Sequence, residues 1–149
     1  MAVKEVIQFQ GDGEGVLSAD CLPVKEFTED VVQCIQDLKD TAASFGSRCL
    51  GLSANQIGYT HRIVLVKAPG DEAEVLINPE ITLRHPGVAS RPEGCLSRDG
   101  MLPVVKRRHK RVNLSYTSDD GERSVSVELS GIRSRIVQHE IDHLNGRSI

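Results

Sequence analysis

The chain has 149 residues, enough for one domain with a real core and too few for two comfortable ones. A formal net charge of −3 excludes a broad nucleic-acid footprint, so DNA is not an expected partner. No apolar stretch approaches the length of a membrane span, and Met1 to Gln10 lacks the apolar centre of a signal peptide, so a cytoplasmic chain is expected.

In chain order, Val3 to Phe9 reads as a short apolar strand and Gly11-Asp12-Gly13-Glu14-Gly15 as a flexible loop. Thr28 to about Ser44 reads as a helix. Thr28 can cap it, Glu29 and Asp30 suit the positive N-terminal dipole, Val31, Ile35, Leu38 and Ala42 form one stripe, and Gly46 ends it. A Gly-containing segment follows, Leu50-Gly51-Leu52-Ser53-Ala54-Asn55-Gln56-Ile57-Gly58. Arg62 to Lys67 and Glu74 to Ile77 read as strands joined around Pro69-Gly70-Asp71, while Pro79 and Pro86-Gly87 mark turns. Val104-Val105, Arg111 to Thr117 and Arg123 to Leu129 read as further strands, the last two joined by the turn Ser118-Asp119-Asp120-Gly121. A second long helix comes last. Runs of strands with helices at both ends predict an α+β fold rather than a βαβ winding.

The basic run Lys106-Arg107-Arg108-His109-Lys110-Arg111 has two readings. A solvated strand or turn is favoured, and contact with an anionic partner such as RNA is the lesser reading. Among the four cysteines, Cys21, Cys34 and Cys49 lie beside apolar neighbours and are expected in the core. Cys95 stands in the Gly-assisted segment Glu93-Gly94-Cys95-Leu96-Ser97. It is either a ligand or nucleophile, or an inert buried thiol.

The strongest chemical signal is Gln138-His139-Glu140-Ile141-Asp142-His143, an H-E-x-x-H pattern. On a helix, His139 and His143 share one face and can hold one metal ion together. Glu140 stands next to them, within reach of a water on that metal. Ser130 is placed to cap the helix, Ile132, Ile136, Val137, Ile141 and Leu144 give it a buried stripe, and Gly146 is placed to stop it. Two imidazoles fall short of the three protein ligands usual in a catalytic site, so the chain must supply a third.

Three segments stand in a distinctive order: Gly51-Leu52-Ser53-Ala54-Asn55-Gln56, Glu93-Gly94-Cys95-Leu96-Ser97 and Gln138-His139-Glu140-Ile141-Asp142-His143-Leu144-Asn145-Gly146. They resemble the signature motifs of the peptide deformylases, and the similarity extends over almost the whole chain, as one catalytic domain over residues 1–149. The resemblance implies antiparallel β-sheets around a central helix bearing the histidines. It implies a metal-dependent hydrolase that removes the formyl group from the N-terminal formyl-methionine of new polypeptides, acting on formyl-methionyl peptides and nascent chains. Cys95, His139 and His143 would bind the metal, with Fe2+ physiological and Zn2+ or Ni2+ able to replace it. Glu140 would be the general acid/base. Gln56 and the Leu96 backbone N–H would face the formyl oxygen. Leu50 and Gly51 would lie along the substrate backbone, and Glu93 would pair with an arginine that falls at Arg107. Ile132 and Ile136, on the metal flank of the last helix, are candidates for the methionine slot or ordinary core residues.

The sequence departs from the family at named positions. Cys49 stands where the first motif usually begins with glycine, Ser53-Ala54 replaces the usual Ala-Ala, and Leu102 occupies a position where many members carry arginine. Ile149 follows Gly146 by three residues, so the C-terminal helix by which bacterial members dock on the ribosome is not expected. The chain resembles the short bacteriophage forms, and a monomer is expected. Two rivals remain. A zincin protease needs a third ligand beyond the helix, for which few residues follow, and a non-catalytic module would close its site with a fourth protein ligand.

Overall fold

The computed structural model describes residues 2–8, 14–98 and 100–147. Its elements, in chain order, are α1 (Glu14–Leu17), α2 (Glu29–Phe45), β1 (Gly51–Ser53), β2 (Ile63–Val66), β3 (Glu74–Arg84), β4 (Val88–Glu93), β5 (Val104–His109), β6 (Arg111–Thr117), β7 (Ser124–Ser130) and α3 (Gly131–Leu144). Five strands form one antiparallel sheet in the order β1-β2-β3-β6-β7, while, among the described residues, β4 and β5 pair only with each other. The α+β architecture expected from the sequence is the one observed.

Strand β2 explains where the core sits. Ile63, Val64 and Leu65 are all fully buried, because both faces of the sheet are covered. Ile63 and Leu65 join Val31, Cys34, Ile35 and Leu38 of α2 on one face. Val64 joins Leu114 of β6 and Val137, Ile141 and Leu144 of α3 on the other. Each such side chain contributes about 1.5–3 kcal/mol of burial free energy. Helix α3 therefore lies against the large sheet on one side and faces the β4–β5 hairpin on another, which sets its polar residues between the two. Cys21, Cys34 and Cys49 are core residues, as their neighbours predicted.

Three of the four ends of the long helices are as their sequences predict. Thr28 Oγ1 accepts the Val31 N–H at 3.3 Å, and Gly46, at φ 58°, closes α2. After α3, Gly146 turns at φ 72° and donates its N–H to the His143 carbonyl at 3.0 Å. Ser130 holds the N-cap position of α3, but its side chain makes no capping bond. That end is fastened instead by Gly131 N–H on Lys110 O (3.0 Å) and Ser134 Oγ on His109 O (2.9 Å).

Four further expectations change. The described part of Val3 to Phe9, residues 3–8, forms no strand, and Phe9 lies outside the described residues. The N–H groups of Ala2 and Lys4 go to Asp40 and Thr41 on α2, so a ladder partner is not used. Glu14 and Gly15, expected in a loop, open α1; residues 11–13 lie outside the described residues. Pro79 does not end a strand but lies within β3. The register shifts between Ile77 and Glu80, and Asn78 takes φ 51°, so the imino residue is absorbed by a bulge. Finally, β1 and β4 were not anticipated, and β5 runs on through Lys106-Arg107-Arg108-His109.

Candidate active site

The histidine helix and the cysteine turn meet. His139 and His143, one turn apart on α3, hold their Nε2 atoms 3.1 Å from each other. Strand β4 ends at Glu93, and after Gly94 the chain turns, with Arg98 N–H on Cys95 O at 2.9 Å. That turn sets Cys95 Sγ 3.3 Å from His143 Nε2. One donor atom from each of Cys95, His139 and His143 lies within 4.8 Å of the others. Two imidazole nitrogens and a sulfur, all lone-pair donors, crowd one point, an arrangement that suits a divalent cation of intermediate softness.

The electrostatics of the cluster also favour a cation. Burial opposes charge on His139, but the Cys95 thiol, Glu93 and Glu140 outweigh it and lift the imidazole to about 10. Burial and the neighbouring His139 push His143 down to about 3. A metal ion would displace a proton from such a cluster. Glu140 is buried, and that burial raises its carboxyl to about 7 against the pull of His139 and Arg108. Glu140 Oε1 is a buried acceptor with no hydrogen-bond partner among the described residues. A carboxylate balanced near neutrality suits proton transfer in both directions.

Behind the donor cluster, Glu93 is a hub. Its Oε1 accepts from His139 Nδ1 at 3.0 Å and Arg108 Nη2 at 2.9 Å; its Oε2 accepts from Arg108 Nε at 3.1 Å and Arg135 Nη1 at 2.5 Å. Burial alone would raise this carboxyl, but the His139 and Arg108 hydrogen bonds hold it down at about 2. Arg108 also pairs with Asp142 of α3. The expected partner, Arg107, is therefore replaced by its neighbour. Successive β5 residues point to opposite faces, so Arg108 is buried and Arg107 is exposed. The register of β4 against β5 decides between them, and composition does not.

The remaining sequence-predicted residues gather around the same cluster. A cavity of ≈ 470 Å³ is lined by Leu50, Gly51, Cys95, Leu96, His139 and Glu140, with Ile132 and Ile136 on its α3 wall. Ile132 is half exposed and Ile136 is buried. A larger basic groove of ≈ 770 Å³ lies beyond Arg135, but it is the smaller cavity that Cys95, His139 and the buried acid Glu140 line. Gln56 is buried behind Cys95. Ser53 donates its N–H to Gln56 Oε1 at 2.9 Å, which turns Gln56 Nε2 toward Ser97 Oγ (3.0 Å) and Cys95 Sγ (3.5 Å). Gly51 lies so close to Glu140 that a Cβ there would stand 2.5 Å from Oε2. Asn55, given no role in the sequence analysis, donates to the His143 carbonyl at 2.6 Å and ties the first motif to the end of α3. Ser97 was quoted in its motif without a role and Arg135 was missed, since neither carries a spacing signal.

A helix-borne histidine pair, a turn-borne thiol and a buried acid beside an open cavity are the arrangement of a metallohydrolase. Comparison with known proteins narrows the class. The model of the polypeptide deformylase family matches residues 3–149. A peptide deformylase of Thermomicrobium roseum is 39% identical over 98% of this chain and 83% of its own length. The peptide deformylase of Thermotoga maritima superposes with a TM-score of 0.87 at 32% identity, covering 98% of this chain and 94% of that one. The deformylase of the Vibrio parahaemolyticus bacteriophage VP16T, solved with actinonin, gives 0.83 at 31% identity, covering 97% and 99%.

The chain belongs to the polypeptide deformylase family. It is a metal-dependent hydrolase that removes the N-formyl group from the N-terminal formyl-methionine of newly made polypeptides and releases formate. No helix among the described residues is long and apolar enough to cross a membrane.

Proposed function

We propose that Cys95, His139 and His143 are the metal ligands of this deformylase and that Fe2+ is the cellular ion, with Zn2+ or Ni2+ able to replace it. A divalent metal bound there supplies the Lewis acidity that makes water nucleophilic near neutral pH. Glu140 takes the proton from the attacking water and passes it to the leaving amine, a role supported by its burial and its elevated carboxyl. Glu93 accepts from His139 Nδ1 and so keeps Nε2 turned into the cluster.

Attack on the formyl carbon develops charge on its oxygen. Gln56 Nε2 and the Leu96 N–H face that oxygen, each worth about 3 kcal/mol in comparable sites. Ser53 fixes the Gln56 amide in the required orientation. Leu50 and Gly51 lie along the substrate backbone. Ile132 and Ile136 form one wall of the slot for the methionine side chain, supported by their place on the cavity wall. Residues 1–149 act as a single catalytic domain and as a cytoplasmic monomer. The substrates are formyl-methionyl peptides and nascent chains.

The convergence of one thiol and two imidazoles beside a buried carboxylate carries the assignment of residues. Formate release from formyl-Met-Ala-Ser by Fe2+- or Ni2+-loaded protein tests it, with casein as the rival substrate. Formate release without casein cleavage is expected. Glu140→Ala should keep the metal and lose turnover by about 10²-fold or more; undiminished turnover would remove Glu140 from the reaction.

A further inference from the structure

The metal donors belong to two separately paired bodies. His139 and His143 stand on α3, whereas Cys95 follows β4 of the two-stranded sheet, which among the described residues shares no strand pairing with the larger one. Their relative position depends on side chains that cross between them. Ser134 and Gln138 reach His109 of β5, far from the cysteine turn. Arg108 joins Glu93 to Asp142, toward the end of α3. Arg135, one turn before His139, reaches the backbone of both hairpin strands, which neither of these does. Its Nη1 donates to Glu93 Oε2 at 2.5 Å and to Lys106 O at 3.0 Å, and its Nη2 donates to Ala89 O at 2.7 Å. A single guanidinium thus fastens α3 to both strands of the hairpin and to the carboxylate that orients His139.

We propose that Arg135 is a positioning residue for the metal, holding the β4–β5 hairpin, and with it Cys95 Sγ, in register with the two imidazoles. The inference rests on Cys95, His139 and His143 being the ligands. Its role is geometric, and the sign of its charge separates it from an electrostatic one. Arg135 is a cation beside a cation site. If only its charge mattered, removing it would tighten metal binding. Loss of the clasp must weaken it. Lysine keeps the charge but lacks the planar fork needed for these acceptors.

The test is Co2+ titration of metal-free wild type, Arg135→Met, Arg135→Lys and the control Arg133→Met, whose ion pair with Asp71 lies on the exposed side of α3. The readouts are the dissociation constant, the thiolate charge-transfer and d–d absorption bands, and thermal unfolding of the metal-free forms. Arg135→Met should weaken Co2+ binding about 10- to 100-fold and shift the d–d bands, with Arg135→Lys weakened by less and Arg133→Met within twofold of wild type. If Arg135→Met fails to fold, the smaller weakening expected of Arg135→Lys, with shifted d–d bands, carries the test. Unchanged or tighter binding with unshifted bands overturns the proposal, as does a fall in thermal stability alone. A wild type that takes up no Co2+ defeats the ligand assignment itself, whereas normal wild-type binding with unaltered variants defeats only the role of Arg135.

Discussion

A methyl group at position 51 would lie 2.5 Å from Glu140 Oε2 and 2.9 Å from its Cδ. The first motif therefore needs glycine because the buried acid occupies the space a side chain would fill. Gly51→Ala should displace the carboxylate and lower turnover by about 10²-fold while metal content stays at the wild-type level, measured by formate release and elemental analysis. Full activity would mean that Glu140 has room to spare. Glu93 gives a second prediction. Its carboxyl is held at about 2, below its ordinary 4.5, so its ion pairs contribute stability that is fully present above pH 4.5 and lost as pH falls toward 2. Glu93→Gln should be destabilised near neutrality and lose less than the wild type on acidification across that window, read as unfolding midpoints against pH. Parallel curves would contradict the linkage. Residues with a spacing of their own, such as His139 and His143, were legible because helical geometry makes the spacing a contact. The partner of Glu93 was not, because Arg107 and Arg108 differ only in which face of β5 they occupy.

Elements were legible where one rule governed them. Thr28 caps α2 and Gly46 ends it as expected. Strands β6 and β7 follow the predicted spans to within a residue. Strand β4 carries Arg91 and Pro92 and shows no apolar alternation, and β5 is nearly all basic after Val105; both are strands because they pair with each other. Pro79 in β3 is a turn residue by composition, and only the bulge at Asn78 lets it stay in the ladder. The junction after α3 is open to test. At Gly146, φ is 72° and a Cβ would stand 2.5 Å from the Ser18 carbonyl oxygen, whereas Gly70 has φ 84° with open space around it. Gly146→Ala should lower unfolding stability by more than the roughly 1–3 kcal/mol of a strained backbone alone, and Gly70→Ala by no more than that strain, in urea titrations. Equal losses would show that the packing of Gly146 on Ser18 contributes nothing.

At the scale of the whole molecule, the sheet, the hairpin and α3 serve one arrangement. The large sheet buries the apolar side of α3, the hairpin brings Cys95 to its polar side, and a belt of buried ions around Glu93 joins them. The basic run weighed as a possible anion site contributes Arg108 to that belt. The sequence motifs marked the three donors, but only the packing of hairpin on helix brings the sulfur to the imidazoles. The most direct measurement is elemental analysis of anaerobically purified wild type and Cys95→Ala, with formate release assayed on the same samples. The account predicts one divalent ion per chain and turnover in the wild type, with both lost in Cys95→Ala. A Cys95→Ala protein that retains stoichiometric metal and activity would contradict it.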